Sequence, residues 1–537
     1  MKSKSLKIFL CTILAVTVSF GYALSQQNNR NKVFNPLTDK VEVKHEFRGA
    51  WLTTVRGSDW PRKIRVNLKR LPKESHHQQK LRIERQRDSQ KRALVDVITK
   101  IKETGCNVVI MQLCCNSEAY YKSKILPWDH NLTGVQGEDP GYDPLKLAIE
   151  TAHSLGMQIH GWFNPMRVGS VESQRIKKHP CFKHPDRVIK YGKTMYWNPG
   201  HPEVIQYLYD VIYEVMSNYD LDGAHIDDFF YPEGLREKLE VLPKLRDSLK
   251  TLTDKNEIAA LKKTINKLND GKVWDDAAYY NKYGQGMELG RWREENVNKI
   301  VAAMHKAVHD AKPNAIFGVS PGGRLVNTQK LYADPQYWIA EGTIDYLAPQ
   351  IYWQHGHRIA DFKKVLDSWK PIMKGVPCLP GLAAYRYKEK GFDTMDEFVL
   401  QVAECRDEDF VQGNIWFTTH SLFRPDFLDC LKNNIYRYPS LIPELGTSLD
   451  IAPAPVTVTE KDGVIRWDKS PAAKSYAVYK LYISSYSPDG FSATWRGGLI
   501  GQTEDAEFTA PEKEENYVVI AINGKEKSSP SNVVFVR

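Results

Sequence analysis

The stretch Asp222-Gly223-Ala224-His225-Ile226-Asp227-Asp228-Phe229-Phe230-Tyr231-Pro232 passes from a short apolar segment into two adjacent acids and then an aromatic turn. Such a run reads as a buried strand that delivers carboxylates to a loop with rings beside them. Hydrolysis of a sugar linkage needs these parts: acids that move a proton or face the anomeric carbon, and flat faces on which a pyranose stacks. Successive side chains of a strand point to opposite faces, so the two acids are expected to differ in role. Asp227 is the first candidate to face the anomeric carbon. Asp228 would orient a partner or cap the next turn. The plainer alternative is that both acids only position the following loop, as Asp often does where a strand meets a helix.

Outward from this stretch, apolar strand-like runs alternate with helical ones. Candidate strands cover residues 48–55, 107–113, 158–164, 223–227, 315–320, 346–351, 378–383 and 414–418, with helical patterns at 92–104, 145–155, 202–219 and 292–310 between them. Eight strands with intervening helices predict an α/β fold, a (β/α)8 TIM barrel over residues 45–445, with a doubly wound sheet as the alternative. Two insertions interrupt the pattern. One, near residues 62–90, is densely charged. The other, near 235–290, opens on a Leu-, Lys- and Glu-rich segment with helical spacing that predicts a helical hairpin. Beyond Leu449 the proline-bearing run Ile451-Ala452-Pro453-Ala454-Pro455 reads as a linker. Short alternating segments then predict a small all-β sandwich domain over residues 455–537.

A length of 537 residues implies more than one domain. Residues 1–25 carry Lys2, Lys4 and Lys7, an apolar run from Ile8 to Val18, and the small residues Ala23-Leu24-Ser25. The run is short for a membrane span and suits a cleavable signal peptide, so the mature chain is expected to be secreted or periplasmic, with no transmembrane segment after cleavage. Cys11 lies in that leader. The other seven cysteines are too scattered to read as a disulfide framework or a zinc site, and Cys114-Cys115 are taken as small apolar residues. Much of the net charge of +9 falls within residues 62–92, which reads as a solvated insertion more readily than as a polyanion-binding surface.

In a barrel, reactive groups gather where the strands end. The predicted ends carry Gln112 and Glu118 after strand two; Trp162, Asn164 and Arg167 around strand three; His225, Asp227, Asp228 and Tyr231 at strand four; and Gln350, Tyr352 and Trp353 at strand six. Glycoside hydrolysis also calls for a carboxyl that gives a proton to the leaving oxygen. Glu118 is a candidate, with loop hydrogen bonding as the alternative; Glu341 is a weaker one. Trp162, Tyr352 and Trp353 suit sugar stacking or core packing, while Asn164 and Gln350 offer a paired donor and acceptor to hydroxyls. There is no phosphate-binding loop, dinucleotide fingerprint, zinc-ligand spacing or serine nucleophile elbow, so no cofactor or metal is expected. The predicted partner is a polysaccharide and not a nucleic acid.

Several ordered segments resemble the glycosyl hydrolase-like 10 family of bacterial envelope proteins. They are Arg48-Gly49-Ala50-Trp51-Leu52-Thr53-Thr54-Val55 with Asp59-Trp60-Pro61, Ser123 to Trp128, Leu132-Thr133-Gly134, Tyr142-Asp143-Pro144-Leu145, and His160-Gly161-Trp162-Phe163-Asn164-Pro165. Asn198-Pro199-Gly200, the stretch from Asp222 to Pro232, Trp292-Arg293, Gly318-Val319-Ser320-Pro321 and Pro349-Gln350-Ile351-Tyr352-Trp353 complete the series. The resemblance spans about residues 45–440. It implies a barrel glycoside hydrolase acting on peptidoglycan glycan strands or a related polymer. The run from Asp222 to Asp227 is also similar to the fourth-strand motif of α-amylase-type barrels, which by analogy makes Asp227 the nucleophile. Cys114 stands where the family pattern has Arg, and Glu118 where it has Asp. After the linker, Trp467, Tyr476 and Tyr517 sit where fibronectin type III-like domains keep core aromatics. Two competing classes remain: a noncatalytic glycan-binding protein with a degenerate barrel, and a structural envelope protein held through its sandwich domain.

Overall fold

The computed structural model describes residues 33–172, 176–446, 450–488 and 492–537. The leader predicted at residues 1–25 lies outside them. The chain divides into two compact units. One comprises residues 47–437 with 445–447; the other combines the N-terminal residues through 46 with 438–444 and 448–537.

The larger unit is a (β/α)8 barrel. Its strands, in chain order, are β1 (Phe47–Leu52), β2 (Val108–Cys114), β3 (Gln158–Phe163), β4 (Gly223–Ile226), β5 (Ile316–Val319), β6 (Tyr346–Leu347), β7 (Gly381–Leu382) and β8 (Gly413–Trp416). Each of β1 to β5 pairs in parallel with the next strand, β7 pairs with β8, and β8 returns to β1 through Gly413↔Phe47. Parallel bridges Leu347↔Cys378 and Gln350↔Gly381 join the β6 and β7 segments and close the ring. The two shortest strands, β6 and β7, are two residues each where the sequence predicts six. Pro349, Pro377 and Pro380 lack an N–H, so the ladder there survives as carbonyl acceptors: Leu347 N–H donates to Pro377 O, Gly381 N–H to Pro349 O and Ile415 N–H to Pro380 O.

Strand parity decides what lines the barrel axis. Ala50, Leu52, Val109, Met111, Ile159, Ala224, Ile226, Phe317 and Val319 belong to the large apolar core. Their alternates face inward. Phe47, His160 and Tyr346 form one inner layer, with ring centroids 5.8 and 5.9 Å from Phe47, and Trp51 and His225 lie next to it. Rings of this size fit because glycines face them: a Cβ on Gly318 would sit 1.9 Å from the Tyr346 ring, and one on Gly381 2.8 Å from the Trp51 ring.

Outside the barrel, the charged insertion ends in a helix that starts at His76, not near residue 92, and runs to Glu103. Its start is fixed by a capping box in which Ser75 accepts from Gln78 N–H and Gln78 accepts from Ser75 N–H. The second insertion contains two successive helices, Leu242–Thr251 and Lys255–Leu268. Its far end is anchored by a buried bidentate pair, Arg293 with Asp276, both contacts at 2.8 Å. A three-stranded ribbon of Arg167–Ser170, Val188–Tyr191 and Thr194–Trp197, absent from the sequence reading, follows β3.

The second unit is all-β. One sheet runs Lys40–Glu42, Ala493–Thr503, Ser475–Tyr486, Glu515–Asn523 and Glu526–Lys527, with Val534–Val536 also on Glu515–Asn523; the other joins Val458–Lys461, Val464–Trp467 and Glu507–Thr509. Trp467, Tyr476 and Tyr517 are buried in one apolar cluster. Among the described residues no cysteine is disulfide-bonded, and no helix is long and apolar enough to cross a membrane.

The barrel interior gives a direct test of this packing. Gly318→Ala forces a methyl into the Tyr346 ring and is expected to cost about 1–3 kcal/mol, read as a lower urea midpoint with an unchanged slope.

Candidate active site

The acid pair sits where β4 ends. Ala224 and Ile226 pack outward, so Gly223, His225 and Asp227 face the axis, and Asp227 emerges at the top with 6% of its surface exposed. A chain of amides leads to it from neighbouring strands. Gln112 Oε1 accepts from the backbone N–H groups of Thr54 (3.0 Å) and Val55 (2.8 Å), which orients its amide. Gln112 Nε2 must then donate, and it does so to Asn164 Oδ1 at 2.8 Å. Asn164 in turn can only offer Nδ2, which donates to Asp227 Oδ2. Phe229 N–H donates to Asp227 Oδ1 at 3.3 Å.

Burial, then the charge of Asp228, pushes the Asp227 carboxyl well above the ordinary carboxylate range, against the pull of Phe229 N–H, Arg167 and Trp162. The Trp162 indole N–H falls short of hydrogen-bond geometry to this carboxylate and is left buried without a partner. Burial likewise raises half-buried Asp228 to about 6, opposed by the amide of Gln350 beside it. The two acids titrate as a pair that keeps a proton to higher pH than a lone carboxyl would. Arg167 lies over the Phe229 ring at 5.0 Å. Tyr352 feels the charge of both acids and stacks on Phe417 with centroids 5.7 Å apart; Tyr385 meets both rings edge-on.

The structure therefore brings together Gln112, Trp162, Asn164, Arg167, Asp227, Asp228, Gln350 and Tyr352. It places three other candidates elsewhere. His225 is fully buried on the barrel axis with both ring nitrogens engaged: Trp51 Nε1 donates to Nε2 at 3.2 Å, and Nδ1 bonds the Tyr346 hydroxyl at 2.9 Å. An indole only donates, so the proton sits on Nδ1; burial holds the ring neutral. Tyr231 is packed between Tyr332 and Trp274, at 5.0 and 5.4 Å, with 2% exposure. Glu118 is buried against His130, whose N–H and Nδ1 reach its Oε2 at 3.0 and 2.9 Å. Burial raises the Glu118 carboxyl, but His130 and Gln136 outweigh it and hold it below the usual range. A carboxyl kept ionised in this way is poorly suited to donate a proton. A groove of about 770 Å³ opens on the outer surface beside Lys122, Lys146, His153 and Glu214, and none of the gathered residues lines it.

The sequence reading missed two contributions. Phe417, at the end of β8, supplies the ring on which Tyr352 stacks; its strand-end position was the available signal. The loop carrying Trp353 is held by His355, whose Nδ1 and Nε2 bond Glu397 Oε1 (2.9 Å) and Glu404 Oε2 (2.8 Å), while Gln401 donates to Trp353 O. No local pattern links residues so far apart in sequence. Trp353 itself is half-buried, with one ring edge against the space that Gly323 leaves open.

A closed barrel with a carboxylate pair, amide donors and an aromatic wall at its mouth defines a glycoside hydrolase-type architecture. The chain belongs to the glycosyl hydrolase-like 10 family, whose model matches residues 46–394. It is 29% identical over 487 residues to glycosyl hydrolase YngK of Bacillus subtilis, covering 85% of each chain. It is 30% identical over 366 residues to glycosyl hydrolase DigH of Escherichia coli, covering 63% of this chain and 73% of that one. Among solved structures, an α-L-fucosidase of Paenibacillus thiaminolyticus matches with a TM-score of 0.42 at 12% identity, over 73% of this chain and 49% of that one.

The His355 clasp predicts a pH-dependent stability. Burial lowers the imidazole pKa, but Glu397 and Glu404 outweigh it and raise it from 6.5 to about 10. A raised folded-state pKa stabilises fully below the unfolded value and is lost as pH rises through the folded one. The Tm difference between the wild type and His355→Ala is expected to be largest near pH 6 and to close progressively toward pH 10.

Proposed function

We propose that this chain is an extracytoplasmic glycoside hydrolase that cleaves glycosidic bonds in peptidoglycan glycan strands or a related amino-sugar polymer. The observation that carries the reading is the Asp227–Asp228 pair at the barrel mouth, with its amide donors and the Tyr352 wall. Export rests on the leader-like residues 1–25. The polymer class rests on the family and on the chemistry of a cleft offering amide donors and Arg167 to substituted sugars.

Asn164 Nδ2 and Phe229 N–H donate to Asp227 and Arg167 draws it toward the ionised form, against burial and the charge of Asp228. The pair shares one proton, and in this reading Asp227 faces the anomeric carbon as the carboxylate while Asp228, nearer solvent, carries the proton. Asp228 donates that proton to the leaving oxygen as the C–O bond breaks. Asp227 stabilises the positive charge that develops at the anomeric carbon. Water completes the cleavage and returns a proton to the pair. Asn164 keeps the Asp227 carboxylate in place, with Gln112 behind it.

Release of reducing ends from purified glycan strands tests the assignment. Asp227→Asn and Asp228→Asn should each reduce kcat/KM by about 10²-fold or more. With Asp228 near pKa 6, wild-type kcat/KM should fall as pH rises above about 6. Full activity in Asp227→Asn would discard the mechanism, and tight glycan binding without turnover at any pH would favour a noncatalytic glycan-binding protein.

A further inference from the structure

Glu118, displaced from the acid pair, belongs to a different constellation. Glu118, Asp129 and His130 each offer a ligand atom within 4.8 Å of the other two. Asp129 is fully buried. Its Oδ1 is saturated, accepting from Asn131 N–H at 2.7 Å, Asn131 Nδ2 at 2.9 Å and the Tyr120 hydroxyl at 3.1 Å. Its Oδ2 is buried with no hydrogen-bond partner at all. A carboxylate oxygen stripped of water and left without a donor is costly, more so when it is charged. Glu118, 4% exposed, adds a second negative charge close by. His130 is too little to neutralise both: its Nδ1 lies 2.9 Å from Glu118 Oε2 but 3.7 Å from the nearer Asp129 oxygen, the Oδ1 already filled.

We propose that Glu118, Asp129 and His130 form a binding site for one divalent first-row transition ion, with Asp129 Oδ2 as the ligand oxygen that the protein itself leaves open. Two carboxylate oxygens and one imidazole nitrogen suit Zn²⁺ or Mn²⁺, with water completing the coordination. Ca²⁺ prefers six to eight oxygens and is the poorer match. The His130 side chain is 44% exposed and gives the ion a way in. Binding replaces the proton held between His130 Nδ1 and Glu118 with the ion, and that proton leaves to solvent. The ion would tie the loop after β2 to the short helix His130–Thr133. Its effect would reach the acid pair only through position: the Tyr120 hydroxyl touches both Asp129 and Thr54 O, and Thr54 N–H orients Gln112.

The test uses the full chain stripped with chelator and dialysed, then titrated with ZnCl₂ and MnCl₂ by calorimetry and thermal unfolding. These readouts stand apart from hydrolysis, so they fail independently of the enzymatic reading. One equivalent of either ion is expected, with a rise in Tm that grows with free ion concentration. His130→Ala, at a partly exposed position that tolerates truncation, should bind at least about tenfold more weakly and lose the Tm rise, and Asp129→Asn should do the same. Absence of stoichiometric uptake of both ions by the wild type would overturn the proposal. So would His130→Ala taking up the ion as tightly as the wild type, which would place it on other ligands.

Discussion

The orientation of one amide governs the geometry of the acid site. Gln112 accepts two backbone N–H groups from the end of β1, so its amide cannot flip without losing both. That constraint passes to Asn164 and then to Asp227, across β1, β2, β3 and β4, with no charged group until the carboxylate. Neutral amides suit this purpose. They fix a direction without adding a charge that would have to be desolvated, and each satisfies the next in a region where an unpaired group is expensive. The carboxylate at the end then accepts from Asn164 and from Phe229 N–H, and burial and its neighbour Asp228 set how tightly the pair holds a proton.

The relay can hold only if the strands beneath it keep register, and the barrel interior enforces that. Phe47, His160 and Tyr346 fill one layer, and His225 links Trp51 to Tyr346 through its two nitrogens as a neutral ring. This is a buried polar network with each ring nitrogen satisfied, so it orients Tyr346 as well as filling space. The glycines opposite these rings are as necessary as the rings, because a barrel of this size has no room for side chains on every strand in every layer. Asp59 ties the ends of the ring in a similar way, accepting from Thr53 N–H and from His420 N–H across the β1 and β8 loops.

Much of the barrel was legible because its signals are local. Eight apolar runs, the parity of Gly223, His225 and Asp227, and amides at strand ends follow from a period of two and short windows of sequence. What stayed hidden depends on contacts between distant segments or on polar stretches without periodicity. The helix begun at His76 opens on His76-His77-Gln78-Gln79-Lys80, which shows no apolar stripe; only the Ser75 capping box marks it. Glu118 looked free to donate a proton until His130, twelve residues later, turned back onto it. His225 looked like a ligand contact because it neighbours Asp227, yet parity alone puts it one layer deeper. The ribbon of residues 167–197 contains Gly169, Gly192 and several lysines, so its strands are too short and too polar to announce themselves.

The strand Lys40–Glu42 pairs in parallel with Thr494, Trp495 and Arg496, and Asp39 accepts from the Trp495 indole N–H at 2.9 Å. The barrel is thus spliced into the all-β unit, between its first strand and the remainder. During synthesis that first strand emerges some four hundred and fifty residues before its partner. It must stay unpaired while an entire barrel matures, and the all-β unit completes only when the chain is nearly finished. Cutting the chain at the proline linker would therefore not separate two independent modules: it would leave the all-β fragment without its leading strand and the barrel fragment with an orphan edge segment, open to pairing with other chains.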